Sequence, residues 1–392
     1  MRLHGDAAKP WSGGGRPSLV LIGYGGGHGA RLENKNGVVR KWDDPLAALA
    51  WMEQHALSEA GPHRRWIGYL SYDLGRLFEN LPQSARDDLQ MPLFAFGLVD
   101  DLDQSTPQAP QEKQTFNSGE LNSTFDRRRY LQAVERCLEY IRAGDVFQVN
   151  LSQRFELPLP ASVWAIDESL RKHFPARYGA TILADDWSLL CNSPELFLRV
   201  EPTADGRRSI LTRPIKGTRP RLPGEDEALL RSIKDQAELN MIVDLERNDL
   251  GRVCETGSVR VSEPRRVETH PTVFHGVAGI SGILRPEINF VDLLAATFPG
   301  GSITGAPKIR AMQIIEELEG IRRGAYCGAI GCLCHDGSIQ LNVAIRTMIV
   351  KDDKVYIPVG GGIVADSDPA EEYQETLTKA AAMFEALGLT VR

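Results

Sequence analysis

Lys216 lies at the centre of Thr212-Arg213-Pro214-Ile215-Lys216-Gly217-Thr218-Arg219-Pro220-Arg221. The two prolines and the glycine predict a stiff loop, and the three surrounding arginines favour the neutral form of the amine. In a dry site such a lysine is a nucleophile or base near neutral pH. On an open surface the same stretch is only a basic turn. Carboxylates occur in two pairs of one shape, Asp235 with Glu238 and Glu372 with Glu375, each spaced i and i+3 and so sharing one helix surface. Taken singly such a pair is a solvated face. Together they offer oxygen-only ligands for a hard, water-retaining cation such as Mg2+. Ser193-Pro194 predicts an edge or bend that aims Glu195 out of its strand, and a closed apolar site would raise that acid's pKa and make it a general acid. Arg346, set beside Gly360-Gly361-Gly362, reads as a carboxylate clamp helped by bare backbone amides, against the plainer reading of a surface ion pair. His275, in Phe274-His275-Gly276, is a hydrogen-bonded structural histidine or a catalytic one.

The elements that carry these residues follow from periodicity. Residues 225–245 predict one helix with the apolar stripe Leu229, Leu230, Ile233, Ala237, Met241 and Leu245, flanked by Asp235 and Glu238. Asp368-Pro369-Ala370-Glu371 opens a last helix with the stripe Tyr373, Leu377, Ala380, Phe384 and Leu387, stopped by Gly388. A hairpin over 339–359 turns at 351–354 and places Arg346 on its first strand, on the same face as Asn342 and Ala344 and opposite Leu341, Val343 and Ile345. The small-residue loop 300–306 leads into a helix over 307–319, with unpaired amides suited to an anion. Further elements are a helix from Phe125 to Ile141, strands at 145–152 and 187–200, and, nearer the start, a strand at 18–24, a helix at 45–57 and a strand at 66–72. Gly25-Gly26-Gly27-His28-Gly29 lacks phosphate-loop spacing and reads as a turn. Residues 100–123 are polar and read as a linker, dividing an N-terminal region, 1–124, from a catalytic region, 125–392, the two packing as one unit. The mixture is α+β.

The 392 residues, 42% of them hydrophobic, can bury a large core. A formal net charge of -7 argues against nucleic acid and anionic membrane as general partners, and no apolar run approaches a bilayer span. The expected location is the cytoplasm. Six irregularly spaced cysteines read as reduced thiols, and Cys327, Cys332, Cys334 and His335 as core packing instead of a metal site.

As a set, Pro214-Ile215-Lys216-Gly217-Thr218, Ala237-Glu238 with Val243-Asp244-Leu245-Glu246-Arg247-Asn248-Asp249, Gly305-Ala306-Pro307-Lys308, Ala344-Ile345-Arg346-Thr347 and Gly360 through Ser367 resemble the chorismate-utilising enzymes. That family includes anthranilate, isochorismate and salicylate synthases and component I of aminodeoxychorismate synthase. The resemblance implies a large two-sheet antiparallel β core with helices outside. Members that add water carry lysine where this chain has Gln148, and anthranilate synthases usually carry alanine where it has Lys216. Lysine there marks the aminodeoxychorismate branch, with anthranilate synthesis as the alternative and a non-catalytic chorismate-binding subunit as a remote one.

The resemblance implies Lys216 as nucleophile, Glu195 as acid and His275 in the catalytic set. It implies Glu238 and Glu375 on Mg2+, with Asp235 and Glu372 reaching its waters. Arg346, Tyr326, Lys379 and the Gly361 and Gly362 amides would hold the other carboxylate of chorismate, with Ser302, Thr218 and Gln148 also lining the site. The co-substrate would be ammonia. No Gly-x-Cys-x-Gly motif surrounds any cysteine, so a separate glutamine amidotransferase subunit is implied, in a heterodimer.

Overall fold

In the computed structural model the chain is described over residues 1–4, 12–58, 64–100, 120–270 and 273–389, so most of the polar linker lies outside the described residues. Two large sheets, of nine and twelve strands among these residues, contain only antiparallel ladders. The first, sheet I, is centred on Gln148–Pro158, Lys354–Ile363, Thr347–Lys351 and Trp187–Ser193. The second, sheet II, runs from Ile215–Pro220 through Val273–Leu284, Arg208–Arg213, Leu196–Pro202, Ile339–Asn342 and Ala329–Cys334 to Arg64–Leu70 and its neighbours. N-terminal strands pair with later ones in both sheets: Arg2–His4 with Tyr178–Leu183 and Arg64–Leu70 with Ala329–Cys334.

Alternation along the strands sets the layers. In Arg64–Leu70, Trp66 and Leu70 join the core under the outer helices while Ile67 and Tyr69 join the core between the sheets. Helices Pro45–Ser58 and Phe290–Thr297 cover sheet II, and Pro369–Ala386 covers sheet I, where Met383 and Phe384 pack on Phe155 and Ile357. Each such fully buried apolar side chain contributes about 1.5–3 kcal/mol.

Several elements differ from the sequence reading. The strand expected over 187–200 is two strands in different sheets, because Pro194 has no N–H to continue a ladder and the chain crosses from sheet I to sheet II at Pro194-Glu195. The expected hairpin is likewise interrupted. Ile339–Asn342 belongs to sheet II and Thr347–Lys351 to sheet I, so Arg346 sits in the returning crossover with φ 52° and not within a strand. The two crossovers are bonded side by side: Ser193 Oγ donates to the Val343 carbonyl at 2.6 Å and the Val343 N–H to the Glu195 carbonyl at 3.1 Å.

The helix over 225–245 is broken. Glu225–Arg231 ends at Ser232, whose hydroxyl accepts from Asp235 N–H and caps Ile233–Gly251. The break rotates the expected stripe: Leu230 and Ile233 are exposed, and the buried face is Asp235, Leu239, Ile242, Val243, Glu246, Asp249 and Leu250. The supposed basic loop is the edge strand Ile215–Pro220, paired to Val273–Leu284 and kinked at Gly217, φ 83°.

Candidate active site

Lys354–Ile363 forms the floor. Beyond Tyr356 it pairs only with Gln148–Pro158, leaving its other edge without a ladder over the three glycines. Their missing side chains make room for the converging groups. A Cβ at Gly362 would stand 2.8 Å from Gln148 Nε2 and 3.2 Å from Lys216 Nζ. One at Gly361 would stand 3.2 Å from Glu372 Oε2, 3.4 Å from Lys379 Nζ and 3.8 Å from Glu375 Oε1. Positions 148 and 216 thus approach the strand at Gly362 and positions 372, 375 and 379 at its neighbour Gly361, and Lys216 feels the charges of Lys379 and Glu375. Opposite, a Cβ at Gly217 would stand 3.0 Å from Asp235 Oδ1, which brings the first acid pair to the lysine strand.

Lys216 has its pKa lowered by burial, and beyond that by Lys379, against the pull of Glu238, Glu195 and Glu375. The arginines of its own stretch are not the cause, contrary to the sequence reading. Arg213 pairs with Glu263 at 3.0 Å and Glu268 at 2.5 Å, Arg219 pairs with Asp235 at 3.2 Å, and Arg221 is exposed. Gly276 accommodates the lysine backbone: a Cβ there would lie 2.5 Å from the Lys216 carbonyl oxygen.

Glu195, on the outgoing crossover, is buried, and burial pushes its pKa up to about 7, against the lowering effects of the Ser302 hydroxyl and Lys216. Ser302 Oγ donates to Glu195 Oε1 at 2.6 Å. Arg346, on the returning crossover, donates to the Lys379 carbonyl and lies near buried Tyr326. Its left-handed backbone is disfavoured for a side-chain-bearing residue, as is common where geometry serves a site. Lys379 Nζ lies 2.5 Å from Glu375 and 2.9 Å from the Gly360 carbonyl. His275 Nδ1 lies 3.0 Å from Thr218 Oγ1. Burial, with His270 and Arg346 nearby, pushes its pKa down to about 3, so it is uncharged near neutral pH. Gln148 is wholly buried and neither atom of its carboxamide has a protein partner.

Among the described residues no three acidic, histidine or cysteine side chains converge as a finished metal site. The outer acids hold partners of their own, Asp235 with Arg219 and Glu372 with Ser367 Oγ at 2.6 Å. The donors nevertheless fit a hard divalent cation. Burial raises Glu238 and Glu372, with Asp235 and Glu375 respectively adding repulsion, while Glu375 is held low by Lys379 and Lys216 despite its burial. The residual repulsion of Asp235 and Glu375 on Glu238, and of Glu375 on Glu372, is what a bound divalent cation would offset.

The sequence reading gave Glu246 no role. It is buried beneath the Ser302 turn, accepts from Thr212 Oγ1 at 2.8 Å, and is pushed by burial up to about 8. Asp249, one turn on, pairs with Lys308 at 2.5 Å, which joins the 243–249 and 305–308 motifs in space. Their signal was acids at the helix's apolar spacing. None of the six cysteines is in a disulfide, and Cys332 and Cys334 lie along one strand without a metal-like cluster among the described residues.

The model of chorismate binding enzymes matches residues 27–385, and the chain belongs to that family. It is a chorismate-utilising enzyme. Aminodeoxychorismate synthase component 1 of Klebsiella aerogenes is 39% identical over 371 residues, covering 86% of this chain and 81% of that protein. Anthranilate synthase component 1 of Thermus thermophilus is 38% identical over 423 residues, covering 95% and 90%. Among solved structures, anthranilate synthase component I from Streptococcus pneumoniae superposes with a TM-score of 0.80 at 32% identity, covering 94% of this chain and 91% of that one. The menaquinone-specific isochorismate synthase of Escherichia coli shares the fold, with a TM-score of 0.71 at 20% identity.

Proposed function

We propose that this chain is component I of an aminodeoxychorismate synthase, converting chorismate and ammonia to 4-amino-4-deoxychorismate and water, a step toward 4-aminobenzoate and folate. The observation that carries the reading is the position of Lys216 Nζ, 3.2 Å from where a Gly362 side chain would begin and close enough to buried Glu195 for each to shift the other's pKa. Overall identity does not choose between aminating relatives, since those of both names match nearly equally.

In this reading the neutral Lys216 amine forms a bond to ring carbon 2 as the ring double bonds shift and the carbon 4–oxygen bond breaks. Glu195 gives its proton to the departing hydroxyl, which leaves as water, and the attacking nitrogen sheds one proton. Ammonia then bonds to carbon 4, the double bonds shift back and the carbon 2–nitrogen bond breaks. The lysine nitrogen regains a proton and Glu195 takes one from the incoming ammonia. Two modest displacements replace one difficult one. Glu238 and Glu375 would hold Mg2+, supported by Asp235 and Glu372, and the ion supplies charge compensation for the ring carboxylate. Arg346, Tyr326 and the open edge at Gly361 and Gly362 would hold the second carboxylate. Gln148 gives the site an amide where a water-activating base would need a titratable group.

Incubation with chorismate, Mg2+ and an ammonium salt tests the proposal. A product that yields 4-aminobenzoate only after an added lyase is expected. Fluorescent anthranilate formed without the lyase would establish the rival activity. The ammonia is expected to come in the cell from a glutamine amidotransferase subunit, as the component naming of the relatives suggests.

A further inference from the structure

Strand Gln148–Pro158 turns two carboxamides to one side of sheet I, and the chemistry above uses only the first. Side chains two apart along a strand share a face, so Asn150 stands with Gln148. Asn150 is paired directly with Gly362, and residues opposite one another in an antiparallel ladder also share a face. It is the face on which a Gly362 Cβ would meet Gln148 Nε2 at 2.8 Å and Lys216 Nζ at 3.2 Å. On its other edge the Asn150 N–H donates to the Thr304 carbonyl at 2.9 Å, two residues beyond the Ser302 that holds Glu195. At Asn150 the strand therefore runs between Gly362, beside the Lys216 amine, and the turn that holds the acid.

The backbone of Asn150 is fully committed. Its carbonyl accepts from Arg323 Nη2 at 2.7 Å, and the same buried guanidinium donates to the Ile303 carbonyl at 2.9 Å and pairs with Glu319 at 2.7 Å. Strand and turn are thus fixed to each other. The side chain is not so provided for. Asn150 is 8% exposed, and its Oδ1 has no hydrogen-bond partner among the described residues. A buried acceptor left unpaired is costly and rare, and it calls for a donor that the protein itself does not supply. In the proposed reaction ammonia is such a donor. A carboxamide oxygen accepts an N–H without attracting a proton, so it suits neutral ammonia and not ammonium, which has no lone pair to attack with.

We infer that Asn150 seats the ammonia that attacks carbon 4, its Oδ1 accepting one N–H and leaving the lone pair to form the carbon–nitrogen bond. The inference rests on the aminating activity proposed above and adds a binding residue to it. As that bond forms, the carbon 2–nitrogen bond to Lys216 breaks and the ammonia nitrogen gives a proton to Glu195. Asn150 itself gains and loses no proton.

The test uses the full chain with chorismate, Mg2+ and an ammonium salt, and compares Asn150→Leu, of similar shape without an acceptor, and Asn150→Ala with the unaltered chain. Both variants are expected to raise the KM for neutral ammonia about tenfold, the loss of about one hydrogen bond, with kcat at saturating ammonia within about threefold. Formation of the Lys216 adduct from chorismate without ammonia, followed by intact-protein mass spectrometry, should stay within about twofold. An ammonia KM within about twofold of the parent in both variants would overturn the inference. Adduct formation that falls as far as amination in both would overturn it too, since Asn150 would then serve chorismate or the fold. No amination by the unaltered chain would instead refute the proposed activity and the inference with it, so that measurement is read first.

Discussion

Replacing Ser302 by alanine separates the acid role of Glu195 from mere placement of a carboxylate. The Ser302 hydroxyl donates at 2.6 Å to Glu195 Oε1, a bond that favours the ionised carboxylate and so lowers a pKa that burial has raised to about 7. A hydrogen bond to a charged group is worth about 1.5–3 kcal/mol, and 1.36 kcal/mol corresponds to about one pKa unit. Ser302→Ala should therefore move the Glu195 pKa up by about one to two units. At pH 8.5 the protonated fraction would rise from about 3% to between about a quarter and three quarters. The assay is the pH profile of ammonium-driven turnover at saturating chorismate, with the concentration of neutral NH3 held fixed at each pH. The alkaline limb should shift upward even if the maximal rate falls through lost ring contacts. A limb that stays in place or moves to lower pH would refute the assignment of Glu195 as the acid that limits the rate.

Lys216→Ala should abolish or greatly slow amination at carbon 4 while chorismate still binds, and intact-protein mass spectrometry of the unaltered chain with chorismate but no ammonia should show an adduct at Lys216 that the variant lacks; unimpaired turnover would exclude nucleophilic catalysis. Gly276→Val places its first side-chain atom 2.5 Å from the Lys216 carbonyl, so the lysine strand must shift, and adduct formation should drop about tenfold or more with chorismate binding measured alongside. Glu246 has a folded-state pKa raised by burial to about 8, above its ordinary value of 4.5, so its contribution to stability is present at low pH and is lost as pH rises through about 8. Glu246→Gln should melt close to the parent at pH 5 and above it at pH 9, by a difference on the order of several kcal/mol; matching melts at both pH values would show that Glu246 does not ionise against its surroundings.

The sequence alone carried the chemistry's inventory and much of the local structure. Pro, Gly and cap residues act within a few positions, so the last helix from Asp368, the stop at Gly388 and the helix after the 300–306 loop were all legible. The acid pairs were legible for the same reason, as i, i+3 spacing is a property of one helix. Tertiary structure decided what no local rule contains. Ser232 breaks a helix that composition would continue, because its hydroxyl finds an N–H once the chain turns there. Leaving sheet I at Glu195 and returning at Arg346 depends on two segments about 150 residues apart bonding to each other, and that pairing sets the two crossovers side by side. The reason for the lysine's depressed pKa was also nonlocal. Of its arginine neighbours in sequence, Arg213 and Arg219 turn away to Glu263, Glu268 and Asp235, and it is burial beside Gly362 that disfavours its charge.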